Sequence, residues 1–79
     1  MTFFVDCEMT DTFSGEPNYA WVRRAVIELP DTASDRQVVI AAKAALSITG
    51  VRCTRSERSD GVQLDLVGAC VRVFITAQY

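Results

Sequence analysis

Apolar and polar residues alternate over positions 2–10 at the start of the chain. A period of two is typical of a β-strand with one buried face. Turn-forming residues dominate positions 11–18, which predicts a loop. Aromatic and β-branched residues dominate positions 19–29 and end at Pro30. We therefore expect a second strand that forms a wide-looped hairpin with the first. Because both faces of this second strand are partly apolar, we expect it to be central in its sheet.

The hydrophobic period changes after Pro30. Ser34 and Gln37 have the spacing of a capping box, in which two side chains satisfy backbone N–H groups at a helix start. Apolar residues then recur at spacings of three and four, and Gly50 follows them as a stop signal. The pattern predicts a helix over residues 35–49 that packs on a sheet. The residues of its inward stripe are Val38, Ala41, Ala42, Ala45, Leu46 and Thr49.

Three more alternating segments follow the helix. We predict strands over 51–58, 62–67 and 70–76, with turns at 59–61 and 68–69. The order ββαβββ indicates an α+β domain in which one helix packs on a mainly antiparallel sheet. A chain of 79 residues has room for one such domain, spanning 1–79.

Composition argues for a folded protein without an elaborate active site. Hydrophobic residues make up 49% and charged residues 23%, a balance typical of globular chains. The chain has no histidine, which removes the commonest general base and the commonest zinc ligand. Its four glycines are too widely spaced for a phosphate-binding loop or a dinucleotide fingerprint. We expect no enzymatic activity, no cofactor and no metal.

The three cysteines suggest a reducing compartment. They are odd in number and widely spaced, which fits neither a zinc site nor a disulfide scaffold. Cys7 and Cys53 lie on apolar strand faces and should be buried, whereas Cys70 follows a turn and should be exposed. The N-terminus has no basic leader, and no apolar run approaches the roughly 18 residues of a membrane span. We expect a cytoplasmic protein with reduced thiols and no membrane association. It would be a monomer, or on oxidation a dimer through Cys70.

Charge is unevenly distributed along the chain. Residues 1–35 hold seven acidic and two basic side chains, a net charge of −5. Residues 36–79 hold six basic and three acidic side chains, a net charge of +3. Two arrangements are open: the fold keeps these parts on different surfaces, or antiparallel pairing interleaves them into surface ion pairs worth about 0–1 kcal/mol each. The overall charge of −2 does not suit wrapping of a phosphate backbone by bulk charge, so direct nucleic-acid binding is not favoured.

Residues 11–24 read DTFSGEPNYAWVRR, followed by ELPDTASD at 28–35 and GVRC at 50–53. This sequence resembles small proteins encoded by bacteriophages, prophages and plasmids, which have a loop of the form DTFGGEANY before a WVR strand. Ser14 stands in place of a glycine and Pro17 in place of an alanine. The resemblance implies an accessory protein of mobile elements. Small acidic proteins from that setting are frequently anti-CRISPR inhibitors, which bind a surveillance complex (Cascade) or its nuclease stoichiometrically.

Our leading hypothesis is an anti-CRISPR protein that binds a type I CRISPR-Cas surveillance complex and blocks its binding of target DNA. Its partner-binding residues would be Asp11, Phe13, Glu16, Tyr19, Arg23 and Arg24. Trp21 is either a further anchor or a core residue.

Two alternatives remain. The first is a nucleic-acid-binding or regulatory module that uses the arginines of the second half, namely Arg52, Arg55, Arg58 and Arg72. The second is an adaptor for another host protein.

Overall fold

Within residues 1–78, which the computed structural model describes, one helix packs on a five-stranded sheet. The elements are β1 (Thr2–Phe13), β2 (Glu16–Pro30), α1 (Asp35–Ala45), β3 (Cys53–Arg58), β4 (Gly61–Leu66) and β5 (Val71–Gln78). All neighbouring strands are antiparallel, in the order β2-β1-β5-β4-β3. The predicted α+β class and the ββαβββ order are confirmed.

The position of α1 follows from this strand order. β2 and β3 are the two edges of the sheet, and the chain passes from one to the other through α1. The helix therefore covers one face of the sheet and leaves the other open. The core between helix and sheet consists of Val5, Cys7, Met9, Ala42, Leu46, Ile48, Leu64, Val73 and Ile75.

The helix starts where the sequence predicts and ends earlier. The Ser34 side chain accepts from the Gln37 N–H, and the Gln37 side chain accepts from the Ser34 N–H, which confirms the capping box. The predicted end at residue 49 is wrong, because the helix ends at Ala45 and Ser47 turns to a positive φ of 62°. The Ser47 N–H then donates to the Ala44 carbonyl, and the Ile48 N–H to the Lys43 carbonyl. This is a Schellman motif formed without glycine.

The inward stripe changes accordingly. Val38, Val39 and Ala42 pack towards the sheet with Leu46, whereas the predicted Ala45 and Thr49 are exposed. Early termination explains the exposure of Thr49, which lies beyond the last helical turn.

The predicted loop at 11–18 is wrong. β1 and β2 continue until Phe13 pairs with Glu16, and Ser14 and Gly15 alone form the turn. Both turn residues have positive φ, 55° and 81°, as a two-residue type I′ turn requires. The other turn-forming residues of this stretch are built into the strands.

The expectation that β2 is central is also wrong. β2 lies at an edge of the sheet, beside β1. Its apolar residues on the second face, Val22 and Val26, point to the open side of the sheet and are exposed. Both faces of β2 are therefore partly apolar because valines are exposed on the open face, and no second layer from the described part of the chain packs against that face.

The last three strands lie within a few residues of their predicted positions. β3 starts two residues later than predicted, and β5 runs two residues further. Gly61 opens β4 opposite Thr76, where an added Cβ would lie 1.9 Å from the Ile75 carbonyl oxygen. A glycine is needed there because the backbones approach so closely.

The cysteine environments match the expectation at Cys7 and Cys70 and differ from it at Cys53, which was expected to be buried. Cys7 is buried, Cys53 is half-buried, and Cys70 is exposed. Nowhere in residues 1–78 does a helix have the length and hydrophobicity that a bilayer crossing requires.

Candidate protein-binding site on the β1–β2 hairpin

The far end of the β1–β2 hairpin extends past the rest of the sheet. Pairing between β1 and β5 ends with Asp11 opposite Val71, and the Thr12 N–H makes one more bond to the Cys70 carbonyl. Residues beyond this point pair only within the hairpin. We call residues 11–21 the hairpin arm.

The arm contains a large irregularity in β2. Thr10 pairs with Val22, and Thr12 pairs with Pro17. Between these pairs β1 has one residue, Asp11, whereas β2 has four, residues 18–21. The extra residues must bulge from the ladder, and Tyr19 adopts a left-handed φ of 57°. Such a φ is uncommon for an aromatic residue and needs support from its surroundings.

Asp11 and Thr10 supply that support. The Asp11 carboxylate accepts from the Ala20 N–H at 2.9 Å and from the Asn18 side-chain amide at 2.8 Å. The Thr10 hydroxyl oxygen, fully buried, accepts from the Tyr19 N–H at 3.0 Å. The Asn18 amide, with help from the Ala20 N–H, lowers the pKa of Asp11 below its ordinary value. Side chains of β1 thus accept hydrogen bonds from backbone N–H groups of β2 that, because of the bulge, do not pair with the β1 backbone.

Three aromatic side chains stand exposed on this supported backbone. Phe13 is 71% exposed, Tyr19 53% and Trp21 42%. Trp21 is therefore not a core residue. Large aromatic residues are usually well buried in a small domain, and exposed aromatic residues are enriched in protein–protein contact sites.

The six predicted binding residues divide into two groups. Phe13, Glu16 and Tyr19 lie exposed on the arm, where a partner could reach them. The other three make contacts within the fold: Asp11 supports the bulge, Arg23 donates to the Leu46 carbonyl at the helix end at 3.1 Å, and Arg24 forms a surface ion pair with Glu8 at 2.8 Å. Arg23 is well placed there, since a cation near a helix C-terminus is favourable.

Thr10 and Asn18 are the residues supporting the arm that sequence reasoning missed. No local pattern marks them, because their roles depend on which residues face each other across the hairpin. Only the register, with Thr10 opposite Val22, requires residues 18–21 to bulge and a hydroxyl to meet the Tyr19 N–H.

The acidic and basic parts of the sequence supply different strands of the sheet. β1 and β2, from the acidic part of the sequence, form one side, and β4 and β3 form the other. Among the ion pairs of residues 1–78, the contact of Arg55 with Asp35 at 4.0 Å joins the two parts. The others lie within one part, such as Arg24 with Glu8 and Arg72 with Asp65. β1 and β2 carry five acidic and two basic side chains, whereas β3 and β4 carry two of each. The acidic excess therefore lies on the β1–β2 side, with no matching basic excess on β3 and β4.

Most of the arginines proposed to bind nucleic acid form ion pairs with acidic side chains. Arg55 bonds Glu57 at 2.9 Å, and Arg72 bonds Asp65 at 2.6 Å. Arg58 lies 3.5 Å from an Asp60 oxygen and 4.9 Å from the centre of the Phe74 ring. Arg52 is exposed. Paired arginines have little positive potential to offer a phosphate backbone.

The open face of the sheet carries a shallow depression of about 100 Å³. Asp6, Glu8, Arg24, Phe74 and Thr76 line it. Pockets that enclose a small ligand are usually about 300–1,000 Å³, so this depression is a surface feature. Within residues 1–78, no three acidic or cysteine side chains lie close enough together to hold a metal ion.

Fold and site together define a small α+β domain with an open-faced antiparallel sheet and a projecting aromatic hairpin. Comparison with known proteins finds no matching family model, no matching curated protein and no matching solved structure. The hairpin geometry is therefore the main physical guide to function.

Proposed function

We propose that this protein acts by stoichiometric, non-catalytic binding to another protein through the hairpin arm. The observation that carries the proposal is the exposure of Phe13, Tyr19 and Trp21 on a backbone held by Asp11 and Thr10. Aromatic side chains contribute a large share of interface energy. Because the arm is ordered before binding, little conformational entropy is lost when a partner engages it.

We propose a type I CRISPR surveillance complex as the partner, with the protein acting as an anti-CRISPR that blocks target DNA binding. The resemblance of residues 11–24 to proteins of mobile elements supports this partner. Charge supports it as well, since β1 and β2 come from the part of the chain that carries −5. A channel for DNA is lined with Lys and Arg, and an acidic protein surface competes for them.

Aromatic truncation on the arm tests the binding site. Phe13→Ala and Tyr19→Ala should each weaken binding to a purified type I-C or related complex about tenfold or more, because each removes a large exposed contact. Capture of the complex by tagged protein and a gel shift of its target DNA measure binding and inhibition. Phe4→Ala is the matched control, because Phe4 is an exposed aromatic residue on the open face, outside the arm. Inhibition by both arm variants at the wild-type level would rule out the arm as the site.

Charge reversal tests the acidic competition. Glu16→Lys should weaken inhibition, and inhibition by the wild-type protein should weaken with added salt. Glu57→Lys on β3 is the control at the opposite edge and should inhibit as the wild-type protein does. If no type I complex is retained, the CRISPR partner is wrong, and the arm is then tested against other host proteins.

A gel shift with generic duplex DNA at low salt separates this proposal from the nucleic-acid alternative. We expect no shift with the isolated protein. Tight binding, lost when Arg52 and Arg58 are replaced by Ala, would overturn the competition mechanism and favour a nucleic-acid-binding module.

A further inference from the structure

The outer edge of β2 is long and weakly protected. β2 has 15 residues, whereas strands usually have about five or six, and residues 22–30 of it pair regularly with β1. β3, the other edge, has six residues that are mostly charged or hydroxylated, as is common at edges that avoid pairing. An exposed strand edge is a template for another strand.

Alternate residues of β2 direct their backbone groups outwards. The Asp31 N–H donates to the Met1 carbonyl, so odd-numbered positions of the regular segment bond to β1. The even-numbered positions then present their N–H and C=O groups at the free edge. Pro30 is at one of these positions, where its missing N–H costs no hydrogen bond to β1, and regular pairing with a further strand would end before it.

We propose that β2 pairs with β2 of a second copy of this chain, antiparallel and about a two-fold axis at Val26. The two five-stranded sheets would form one continuous sheet, with both helices on the same face. Symmetric pairing of this kind is an isologous interface, in which one surface serves both copies.

The charges along β2 select this register. With Val26 opposite its own copy, Arg24 lies opposite Glu28 of the second copy, and the same pair recurs on the other side of the axis. Opposite charges at directly facing positions stabilise a strand pair. A shift of the axis by one residue along β2 leaves both charges without an opposite charge, since Arg24 then faces Val26 or Pro30 and Glu28 faces Val22 or Val26. A shift by two residues places Arg24 opposite Arg24 or Glu28 opposite Glu28.

The apolar residues of β2 favour the same contact. Val26 is 59% exposed at the proposed axis. On the helix-covered face, Ala25, Ile27 and Leu29 are half-buried at the margin of the core. The register places Ala25 opposite Ile27 of the second copy, which extends the core across the interface.

Sedimentation or light scattering of the reduced protein tests the association. We expect about twice the single-chain mass of 8.7 kDa, with reductant excluding a Cys70 disulfide. Val26→Lys places two like charges at the axis and should raise the dissociation constant about tenfold or more. Ser56→Lys on the β3 edge should leave it unchanged. A single-chain mass for the wild-type protein, or a dimer unaffected by Val26→Lys, would overturn the proposal.

Cysteine trapping tests the register in a Cys70→Ser background. Directly hydrogen-bonded residues have Cα atoms about 5.5 Å apart, within disulfide range, so Val26→Cys should form a covalent dimer on mild oxidation. Val22→Cys should not, because its two copies would lie about 27 Å apart. Equal crosslinking of both variants would exclude this register.

A charge exchange tests the Arg24–Glu28 pairing. Glu28→Arg should weaken the dimer, and Arg24→Glu with Glu28→Arg should restore it, since the exchange preserves opposite charges across the interface. Because Arg24 also bonds Glu8 within the chain, Glu8→Arg accompanies the exchange and preserves that pair. Failure to restore the dimer counts against this register. Melting curves of each variant check the fold. These experiments use the protein alone, so their failure leaves the proposal for the hairpin arm standing.

Discussion

At the scale of single residues, Asp11 illustrates how position changes the role of a charge. Its carboxylate looks from the sequence like a partner contact, yet it accepts from Ala20 and Asn18 within the same hairpin. Its bonds to residues on both sides of Tyr19 support the bulge in which Tyr19 has a left-handed backbone. Asp11 is therefore a positioning residue for the arm.

Removal of this carboxylate should loosen the arm and remove one source of acid sensitivity. Because the folded state lowers the pKa of Asp11, its contribution to stability is complete above the unfolded value of about 3.9 and is lost as pH falls through the folded pKa. Asp11→Ala should lower the melting temperature at neutral pH, with a smaller difference from wild type in strong acid. Thermal melts across acidic pH measure this.

Asp31→Asn is the control for that experiment, because Asp31 is exposed and lies outside the strands and the helix. Its melting curve should follow the wild-type curve across the whole pH range. A constant difference between Asp11→Ala and wild type down to the lowest pH would contradict the role of the ionised carboxylate.

At the scale of elements, the helix shows which boundaries a sequence encodes. Its start was predictable because the capping box is local, with Ser34 and Gln37 three positions apart. Its end was not, because Ser47 occupies the left-handed position that usually holds glycine, and burial of Ile48 fixes the turn. Gly50, the expected stop, lies three residues further on.

Ser47→Gly should stabilise the protein. A left-handed φ of 62° is strained for serine and free for glycine, so the free energy of unfolding should rise by about 1 kcal/mol. Chemical denaturation measures it. Ser47→Ala, which keeps the Cβ, should show no gain, and a loss of stability in Ser47→Gly would mean that the left-handed turn is not strained.

At the scale of the whole molecule, the reactivity of the cysteines can measure opening of the core, because one cysteine is buried and another is exposed. Burial, with the nearby Asp6 charge, raises the pKa of the Cys7 thiol to about 11, so little thiolate is present at neutral pH. Cys7 also lies in the core under α1, whereas Cys70 is exposed at a turn.

Thiol labelling should therefore occur in separate phases. Cys70 should react with a thiol reagent in the native protein, and Cys7 should react far more slowly, because it is buried and its raised pKa leaves little thiolate. The half-buried Cys53 should react at a rate between the two. Mass spectrometry of the labelled chain assigns the phases. Cys70→Ser should remove the fast phase and Cys7→Ala the slow one; comparable rates for Cys7 and Cys70 would show that the core opens readily.

The sequence by itself determined the kinds of elements, their order, the helix start and the buried side of β1, because capping and hydrophobic period are local properties. Only the tertiary structure decided that β2 is an edge strand, that residues 18–21 bulge, and that Asp11 and Arg23 serve the fold while Phe13, Tyr19 and Trp21 face outwards. These features depend on which strands become neighbours and in which register. Pairing between distant segments sets both, and a period of two reads the same in an edge strand as in a central one.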